Sequence, residues 1–286
     1  MNLGTASFTD IGPAPLKPGT DDHKHAFCHM LLDTFDPYKP AVISWPKLEG
    51  DALARLTTLP FWDVAVQTEG YASARVQRLA DTLKDPLLKE AVALNAFEEA
   101  RHKNVLEHML RFYQIPLAAE PEYRASPDAE WSFLRTGYGE CFDSFFAFGL
   151  FEVAKRSGFF PPALVDVFEP VIREEGRHIL FFVNWVAWAE ANKPTFLHKI
   201  YFRLRCLAAL MVNAFGRLSV AGDAGASDNF VASGGNNLAV DFNVRTFLEL
   251  CLSENDRRMA PYDARLKRPM MMPRLVSSAL RFIPKK

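Results

Sequence analysis

The chain has 286 residues, 49% of them apolar and 13% aromatic, which is enough to build a large core in one domain. The net charge of −1 gives no sign of the basic surface of nucleic-acid-binding proteins, so nucleic acid is excluded as an expected partner. The four cysteines lie far apart without a Cys-x-x-Cys pair, which argues against structural zinc and a disulfide scaffold and favours a reducing cytoplasm. Strand signals are scarce, so the expected fold class is all-α.

The first segment, residues 1–59, is rich in proline and is predicted to be an extended, partly solvated arm with one short helix near residues 27–34. It lacks the basic start and apolar block of a signal peptide, and no apolar run approaches the ~18 residues of a membrane-spanning helix. We therefore expect a soluble protein. His23, His25 and His29 stand close together in the arm, but their spacing fits no recognised metal-binding motif.

Four long segments with helical periodicity follow, and they are predicted to be helices over residues 60–83, 86–114, 134–157 and 163–191. Proline stands in the first turn of the first two, where it is tolerated, and Pro170 is expected to kink the fourth. Short turns join the helices in two antiparallel hairpins, and a longer polar link connects the hairpins. The sequence therefore predicts a four-helix bundle over residues 60–191.

The last part of the chain, residues 192–286, is predicted to be a helical extension of the same domain. Helices are expected at residues 195–219 and 238–258, with a mobile link over residues 221–237 between them. The tail, residues 266–286, mixes apolar and basic side chains. We expect it to cover the bundle or a sister subunit of a homodimer, with peripheral contact to an anionic membrane as the alternative.

A pentapeptide, Glu-Glu-Ala/Gly-Arg-His, occurs twice, once on the second helix of each hairpin. Each copy contains a Glu-x-x-His pair, Glu99 with His102 and Glu175 with His178. Positions three apart lie on one face of a helix, so each copy presents a carboxylate and an imidazole together. This combination suits a metal ion that takes mixed nitrogen and oxygen ligands.

The other two helices are expected to complete the site with one carboxylate each. At about 1.5 Å of rise per residue, Glu69 is the carboxylate of the first helix that lies level with Glu99. On the third helix Asp143 lies nearest the level of Glu175, and Glu140 lies roughly 7 Å from it. A glutamate reaches further than an aspartate and bridges two metals more readily. We therefore choose Glu140 and keep Asp143 as the alternative.

The doubled motif and these carboxylates resemble the ferritin-like di-iron carboxylate superfamily over residues 60–191. The resemblance implies a ferritin-like four-helix bundle that holds two iron ions. It also implies the role of each ligand: Glu99 and Glu175 bridge both ions, Glu69 and His102 serve one ion, and Glu140 and His178 serve the other.

The chemistry of the donors favours the same cofactor. Four carboxylates inside an apolar bundle need a counter-charge, because desolvation costs several kcal/mol per ion, and two divalent cations supply it. Imidazole with carboxylate suits iron or manganese, alone or mixed, better than calcium or magnesium. A closed tetrahedral zinc site would not need six ligands.

The first glutamate of each pentapeptide is expected to hydrogen-bond to a histidine ligand and not to the metal, because a metal-bound imidazole usually donates its free N–H to a carboxylate. Our hypothesis is that Glu98 holds His178 and that Glu174 holds His102, each from across the bundle. The arginine of each pentapeptide is expected to form an ion pair.

These features predict a non-haem di-iron oxidase or oxygenase that activates O₂ and acts on a small or lipid-like apolar substrate. Aromatic residues of the third and fourth helices, among them Phe151, Phe182 and Trp185, are candidates for the pocket wall. A separate reductase is expected to supply electrons, because the sequence shows no flavin, haem or rubredoxin module. Two alternatives stay open, a ferroxidase or iron-binding protein and a helical scaffold with a vestigial metal site.

Overall fold

The computed structural model describes residues 14–124, 126–222 and 243–284, and every regular element in this part of the chain is helical. The all-α class is therefore confirmed for the described residues. Ten α-helices are found there: α1 (Asp21–Leu32), α2 (Gly50–Thr57), α3 (Trp62–Thr82), α4 (Pro86–Phe112), α5 (Ala129–Ser157), α6 (Pro162–Val165), α7 (Glu169–Ala191), α8 (Phe196–Gly222), α9 (Val244–Met259) and α10 (Met271–Ala279).

The four long helices α3, α4, α5 and α7 form the centre of the fold, and α3 packs along both α4 and α5 while α5 packs along α7. Local capping sets where they begin. Asp85 accepts a hydrogen bond from the backbone N–H of Leu88 at the start of α4, and Asp128 does the same for Trp131 at the start of α5. Because of the Asp128 cap, α5 begins five residues before the predicted start at residue 134.

The fourth predicted helix, residues 163–191, is not continuous. The short helix α6 ends at Val165, a 3₁₀ turn covers Asp166–Phe168, and α7 then begins with Pro170 in its first turn. The expected irregularity at Pro170 is present, but as a 3₁₀ turn that divides the predicted helix and not as a kink within it, because a proline lacks the N–H that would continue the preceding helix but fits the first turn of a new one.

The N-terminal arm is packed more closely than predicted. Helix α1 begins at Asp21, six residues before the predicted start, and lies along both α4 and α7. Phe27 and Cys28 are fully buried in the main core, and His23 is buried beside Asn184. The predicted short helix is present and only one of its faces is solvated: Asp21, His25 and His29 are exposed, while its apolar face covers the contact between the two motif-bearing helices.

The C-terminal helices cover α5 from the other side. Met272 and Val276 of α10 are buried in a cluster with Phe142 and Phe145 of α5, so the tail covers the bundle as predicted. Helix α8 also packs along α5, and it turns an exposed apolar face outward. The predicted link over residues 221–237 and the first residues of the predicted helix 238–258 lie largely outside the described residues, as do residues 1–13 of the arm.

A helix that crosses a membrane must be both long and apolar. None of the helices in the described ranges is long and apolar enough to do so.

Candidate metal centre

The two Glu-x-x-His pairs meet in the interior between α4 and α7. Glu99, His102, Glu175 and His178 each offer a ligand atom, and these atoms all lie within 4.8 Å of one another. The shortest separations are 2.8 Å between His178 Nδ1 and Glu99 Oε1 and 3.1 Å between His102 Nδ1 and Glu175 Oε1. The local i, i+3 spacing and the packing of the helices therefore form one buried cluster, which can hold a metal ion.

Both imidazoles point the same way with respect to this cluster, Nδ1 inward and Nε2 outward. His178 Nε2 lies 2.8 Å from Glu98 Oε2, and His102 Nε2 lies 2.9 Å from Glu174 Oε2. Each imidazole is thus hydrogen-bonded by the glutamate of the other pentapeptide. The predicted exchange across the bundle is confirmed.

The arginines of the two pentapeptides hold these outer glutamates. Arg101 donates to Glu174 Oε1 at 2.6 Å, and Arg177 donates to Glu98 Oε1. The predicted ion pairs are confirmed, and they too join one copy of the motif to the other. All four side chains are buried.

The segment after α1, residues 33–38, binds both arginines from outside, and we call it the strap. Arg101 donates to the carbonyl oxygens of Asp36, at 2.6 Å, and Tyr38, at 3.3 Å, while Arg177 donates to the carbonyl oxygen of Thr34. The strap cannot be predicted from the sequence, because any residue type supplies a backbone carbonyl oxygen.

The pKa of Glu98 shows how strongly its partners favour the ionised form. Burial by itself would raise this pKa, but the hydrogen bond with His178 and the charges of His178 and Arg177 outweigh it and lower the pKa to about 2. The outer glutamate is therefore a fixed negative charge behind the imidazole.

Four carboxylates border the cavity beside the cluster, and we call them the inner carboxylates: Glu69, Glu99, Glu140 and Glu175. Their environment differs from that of Glu98. Glu69 of α3 lies 3.6 Å from His102 Nδ1, and Glu140 of α5 borders the same cavity as Glu69, Glu99 and Glu175. Burial raises the pKa of Glu69 to about 8 and that of Glu140 well above its ordinary value, and the neighbouring carboxylates add to both shifts. Within the described ranges, no lysine or arginine forms an ion pair with any of these four inner carboxylates.

Asp143, the alternative to Glu140, is already paired. Its Oδ1 accepts a hydrogen bond from Arg217 Nε of α8 at 2.9 Å, and its other oxygen accepts from the same guanidinium. Glu140, by contrast, has a buried Oε1 without a hydrogen-bond partner. The assignment of Glu69 and Glu140 as ligands stays a prediction, and the geometry favours Glu140 over Asp143.

Several donor atoms of the cluster are buried without a hydrogen bond of good geometry. They are Glu99 Oε1, His102 Nδ1, Glu140 Oε1 and His178 Nδ1, although His178 Nδ1 lies 2.8 Å from Glu99 Oε1 and His102 Nδ1 lies 3.1 Å from Glu175 Oε1. Buried polar atoms are rarely left unpaired, since this costs about 1–3 kcal/mol each. A cation bound between these oxygens and nitrogens would satisfy them together, so the residues present fit a metal site.

A cavity of about 550 Å³ adjoins the cluster between α3 and α5. Most of its wall is apolar, and Phe61, Phe151, Phe160 and Leu164 are among the residues that line it. Of the predicted wall residues only Phe151 lines this cavity, whereas Phe182 and Trp185 are buried in the main core. The sequence could not separate core aromatics from wall aromatics, because both face inward on the same helices.

Comparisons of the chain with protein-family models, with curated proteins and with solved structures gave no match. The function of the protein is therefore inferred from its own residues and their geometry.

Proposed function

We propose that the protein is a ferritin-like di-iron carboxylate enzyme, a non-haem oxidoreductase that uses O₂ to oxidise or hydroxylate a small or lipid-like apolar substrate. One observation carries the proposal: inner carboxylates that pair with imidazoles but with no lysine or arginine of the described residues lie beside an apolar cavity. The carboxylates require positive charge at the centre, and the cavity offers room for an apolar reactant next to it.

Two metal ions would be held by one carboxylate from each of α3 and α5 and by the motif pairs of α4 and α7: Glu69, Glu140, Glu99, His102, Glu175 and His178. This mixture of nitrogen and oxygen donors suits iron, with manganese or a mixed pair as the alternative. When bound in reduced form, such a pair supplies the ability to react with O₂.

The surrounding residues of the chain would prepare this site. Glu98 and Glu174 accept the Nε2–H of the imidazoles, which fixes the ring orientation and leaves each Nδ1 free to bind a metal. Arg101 and Arg177 keep these two glutamates paired. Ser144 donates a hydrogen bond of 3.2 Å to Glu175 Oε2, which orients that inner carboxylate from α5.

The apolar cavity would bind the substrate and exclude water from the reacting groups. Hydroxylation would place one oxygen atom of O₂ in a C–H bond and release the other as water, with two electrons and two protons from outside the site. We propose a separate reductase as the electron donor, because the sequence shows no flavin, haem or rubredoxin module. Contact of the tail with a membrane and assembly into a homodimer stay predictions.

A second candidate is a ferroxidase or iron-binding protein, which the same carboxylates would favour. The apolar wall of the cavity argues against it, because iron ions would be expected to pass along polar groups. A helical scaffold with a vestigial metal site is the third candidate. The buried donor atoms of Glu99, His102, Glu140 and His178, which lack hydrogen bonds of good geometry, argue against that function.

Anaerobic titration with Fe(II), followed by O₂ and optical spectroscopy, tests these candidates. Two iron ions per chain and oxidation by O₂ would support the enzyme, a large excess of iron would support storage, and no binding would support the scaffold. Glu99→Gln is expected to abolish tight binding, since it removes an inner carboxylate. Glu254→Gln, which removes a buried carboxylate outside the cluster, is the matched control.

A further inference from the structure

Two arginines lie at one end of the cavity. Arg75 of α3 and Arg135 of α5 both line it, from the two helices that form its walls. Arg75 is half-buried and Arg135 is exposed, so the cavity reaches the surface at this end. A cationic end on an otherwise apolar cavity points to a ligand with an anionic group.

Neither guanidinium is neutralised by the described part of the chain. Arg75 lies over the Tyr71 ring, with its guanidinium carbon 5.3 Å from the ring centroid, and no carboxylate among the described residues forms an ion pair with Arg75 or Arg135. Burial, followed by the nearby positive charge of Arg135, lowers the pKa of Arg75. A guanidinium stays charged in proteins, so the two cations repel each other until an anion lies between them.

The third arginine of the cavity is different. Arg217 is held by both oxygens of Asp143 and by the side chain of Asn213. It therefore has its counter-charge within the chain, and of the arginines that line the cavity in the described part of the chain, Arg75 and Arg135 remain available to a ligand.

The order of the arginines, glutamates and apolar residues along the cavity indicates how a ligand would be oriented in it. Arg75 lies six residues beyond Glu69 on α3, about 9 Å along the helix axis, and Arg135 lies five residues before Glu140 on α5, about 7.5 Å. The apolar end is on the other side of these glutamates, where Phe61 lines the wall. The inner carboxylates thus border the middle of the cavity.

We propose that the cavity binds a medium-chain carboxylic acid, with its carboxylate between Arg75 and Arg135 and its hydrocarbon chain along the apolar wall past the inner glutamates. Guanidinium groups bind carboxylates through paired charge-assisted hydrogen bonds. The volume of about 550 Å³ lies within the range of about 300–1,000 Å³ that small-molecule sites occupy. An interior carbon of the bound acid would lie next to the cluster. The role of the acid as a substrate rests on the proposed function, whereas its binding does not.

Calorimetric titration with decanoate and with decanol, before and after chelation of metal, tests the binding. We expect decanoate to bind at least about tenfold more tightly than decanol in both preparations, since a hydrogen bond to a charged group contributes that much. In the double variant Arg75→Gln/Arg135→Gln this preference is expected to disappear while decanol binding is retained, which also shows that the variant is folded. Arg78→Gln, an exposed arginine one turn further along α3, is the matched control and is expected to keep the preference.

Four results would overturn the proposal. The first is equal binding of decanoate and decanol by the unchanged protein. The second is a preference that survives in the double variant and the third is a preference that is lost on chelation, since the carboxylate would then bind elsewhere. The fourth is decyl phosphate binding about tenfold more tightly than decanoate, which would assign a phosphate ligand instead. Failure of the proposed function is distinguishable, because decanoate would then still bind to a protein that does not oxidise it.

Discussion

Glu98 and His178 lie on different helices and in different copies of the pentapeptide, yet Glu98 Oε2 is 2.8 Å from His178 Nε2. Glu174 and His102 repeat this contact at 2.9 Å. Each copy of the motif therefore supplies the carboxylate that orients the imidazole of the other copy. The repetition in the sequence has a physical reason, because neither copy completes its own imidazole.

This relationship predicts that Glu98→Gln weakens metal binding about 10–100-fold, as loss of a carboxylate behind a metal-bound imidazole commonly does. The amide can still accept the Nε2–H of His178, but it carries no charge, and it leaves the buried Arg177 without a counter-charge. The apparent Kd from a competition titration with a chromophoric chelator is the measurement.

The matched control is Glu254→Gln on α9. Glu254 is also buried and pairs with Arg257 at 2.6 Å, so this variant loses a buried charge of the same kind far from the pentapeptides in the sequence. We expect lower stability and unchanged metal affinity. An unchanged Kd in Glu98→Gln would remove the role assigned to that residue.

The choice between Glu140 and Asp143 gives a prediction about the size of a change in stability. After chelation and at about pH 7, Glu140→Gln is expected to raise the melting temperature, by about 2–4 °C for each kcal/mol gained, because the variant no longer buries a carboxyl group whose pKa burial and nearby charges raise. Asp143→Asn is expected to raise it less, because burial also raises the pKa of Asp143 but the hydrogen bond and charge of Arg217 offset part of that shift. Differential scanning calorimetry measures both.

Metal stoichiometry separates the same two residues independently. Glu140→Gln is expected to bind fewer than two Fe(II) ions per chain, whereas Asp143→Asn is expected to keep the stoichiometry of the unchanged protein. The reverse result would make Asp143 the ligand and would require Arg217 to release it.

Much of the cluster could be inferred from sequence because its rules are local. Glu99 and His102 share a helix face through their spacing alone, and the helix rise placed Glu69 at their level. The choice on α5 was harder, because the break before α7 shifts the register of the second hairpin by an amount that no local rule gives.

Other features depend on packing between distant segments and have no local signal. The carbonyl oxygens of Thr34 and Asp36 bind the two motif arginines, and any residue type supplies a carbonyl oxygen. The burial of His23 was also missed, because a polar, Asp-rich start to α1 suggests solvent. The periodicity of a twelve-residue helix is too short to show which of its faces lies against α4 and α7.

The buried His23 predicts a dependence of stability on pH. Burial lowers its pKa from the ordinary 6.5, and the hydrogen bond with Asn184, at 3.0 Å, offsets this only in part. The unfolded chain therefore takes up this proton near pH 6.5, while the folded chain takes it up only at lower pH. The contribution of His23 to the free energy of unfolding should therefore fall as the pH drops below 6.5 and level off below the folded pKa.

His23→Gln is expected to flatten this fall, because glutamine does not titrate and its amide can still donate to Asn184. His25→Gln is the control, since His25 lies on the exposed side of the same helix and should leave the profile unchanged. Urea unfolding between about pH 7.5 and 5.5, on either side of the ordinary histidine pKa, gives the comparison. Equal slopes in the two variants would contradict the buried placement of α1.

The docking of α9 on α5 depends on a glycine. A Cβ atom at Gly149 would lie 2.3 Å from Cys251 Sγ and 3.4 Å from its Cα, and Cys251 is fully buried. Gly149→Ala is therefore expected to destabilise the protein by about 1–3 kcal/mol, as overpacking of a core does. Urea unfolding measures the loss, and Gly216→Ala, where the added Cβ would meet none of the described residues within 4 Å, is expected to cost less.

A double-mutant cycle tests whether the close approach of residues 149 and 251 causes the loss of stability. Adding Cys251→Ala removes the sulfur that the new methyl group would meet, so part of the loss in Gly149→Ala should be recovered and the two changes should be non-additive. The packing of α9 on α5 also affects the motif-bearing helix α7, because Arg258 Nη1 of α9 lies 3.1 Å from Glu169 Oε1 at the start of α7. Additive losses, or a Gly149→Ala protein as stable as the unchanged one, would mean that α9 does not pack on α5 and does not support the helix that carries the second motif.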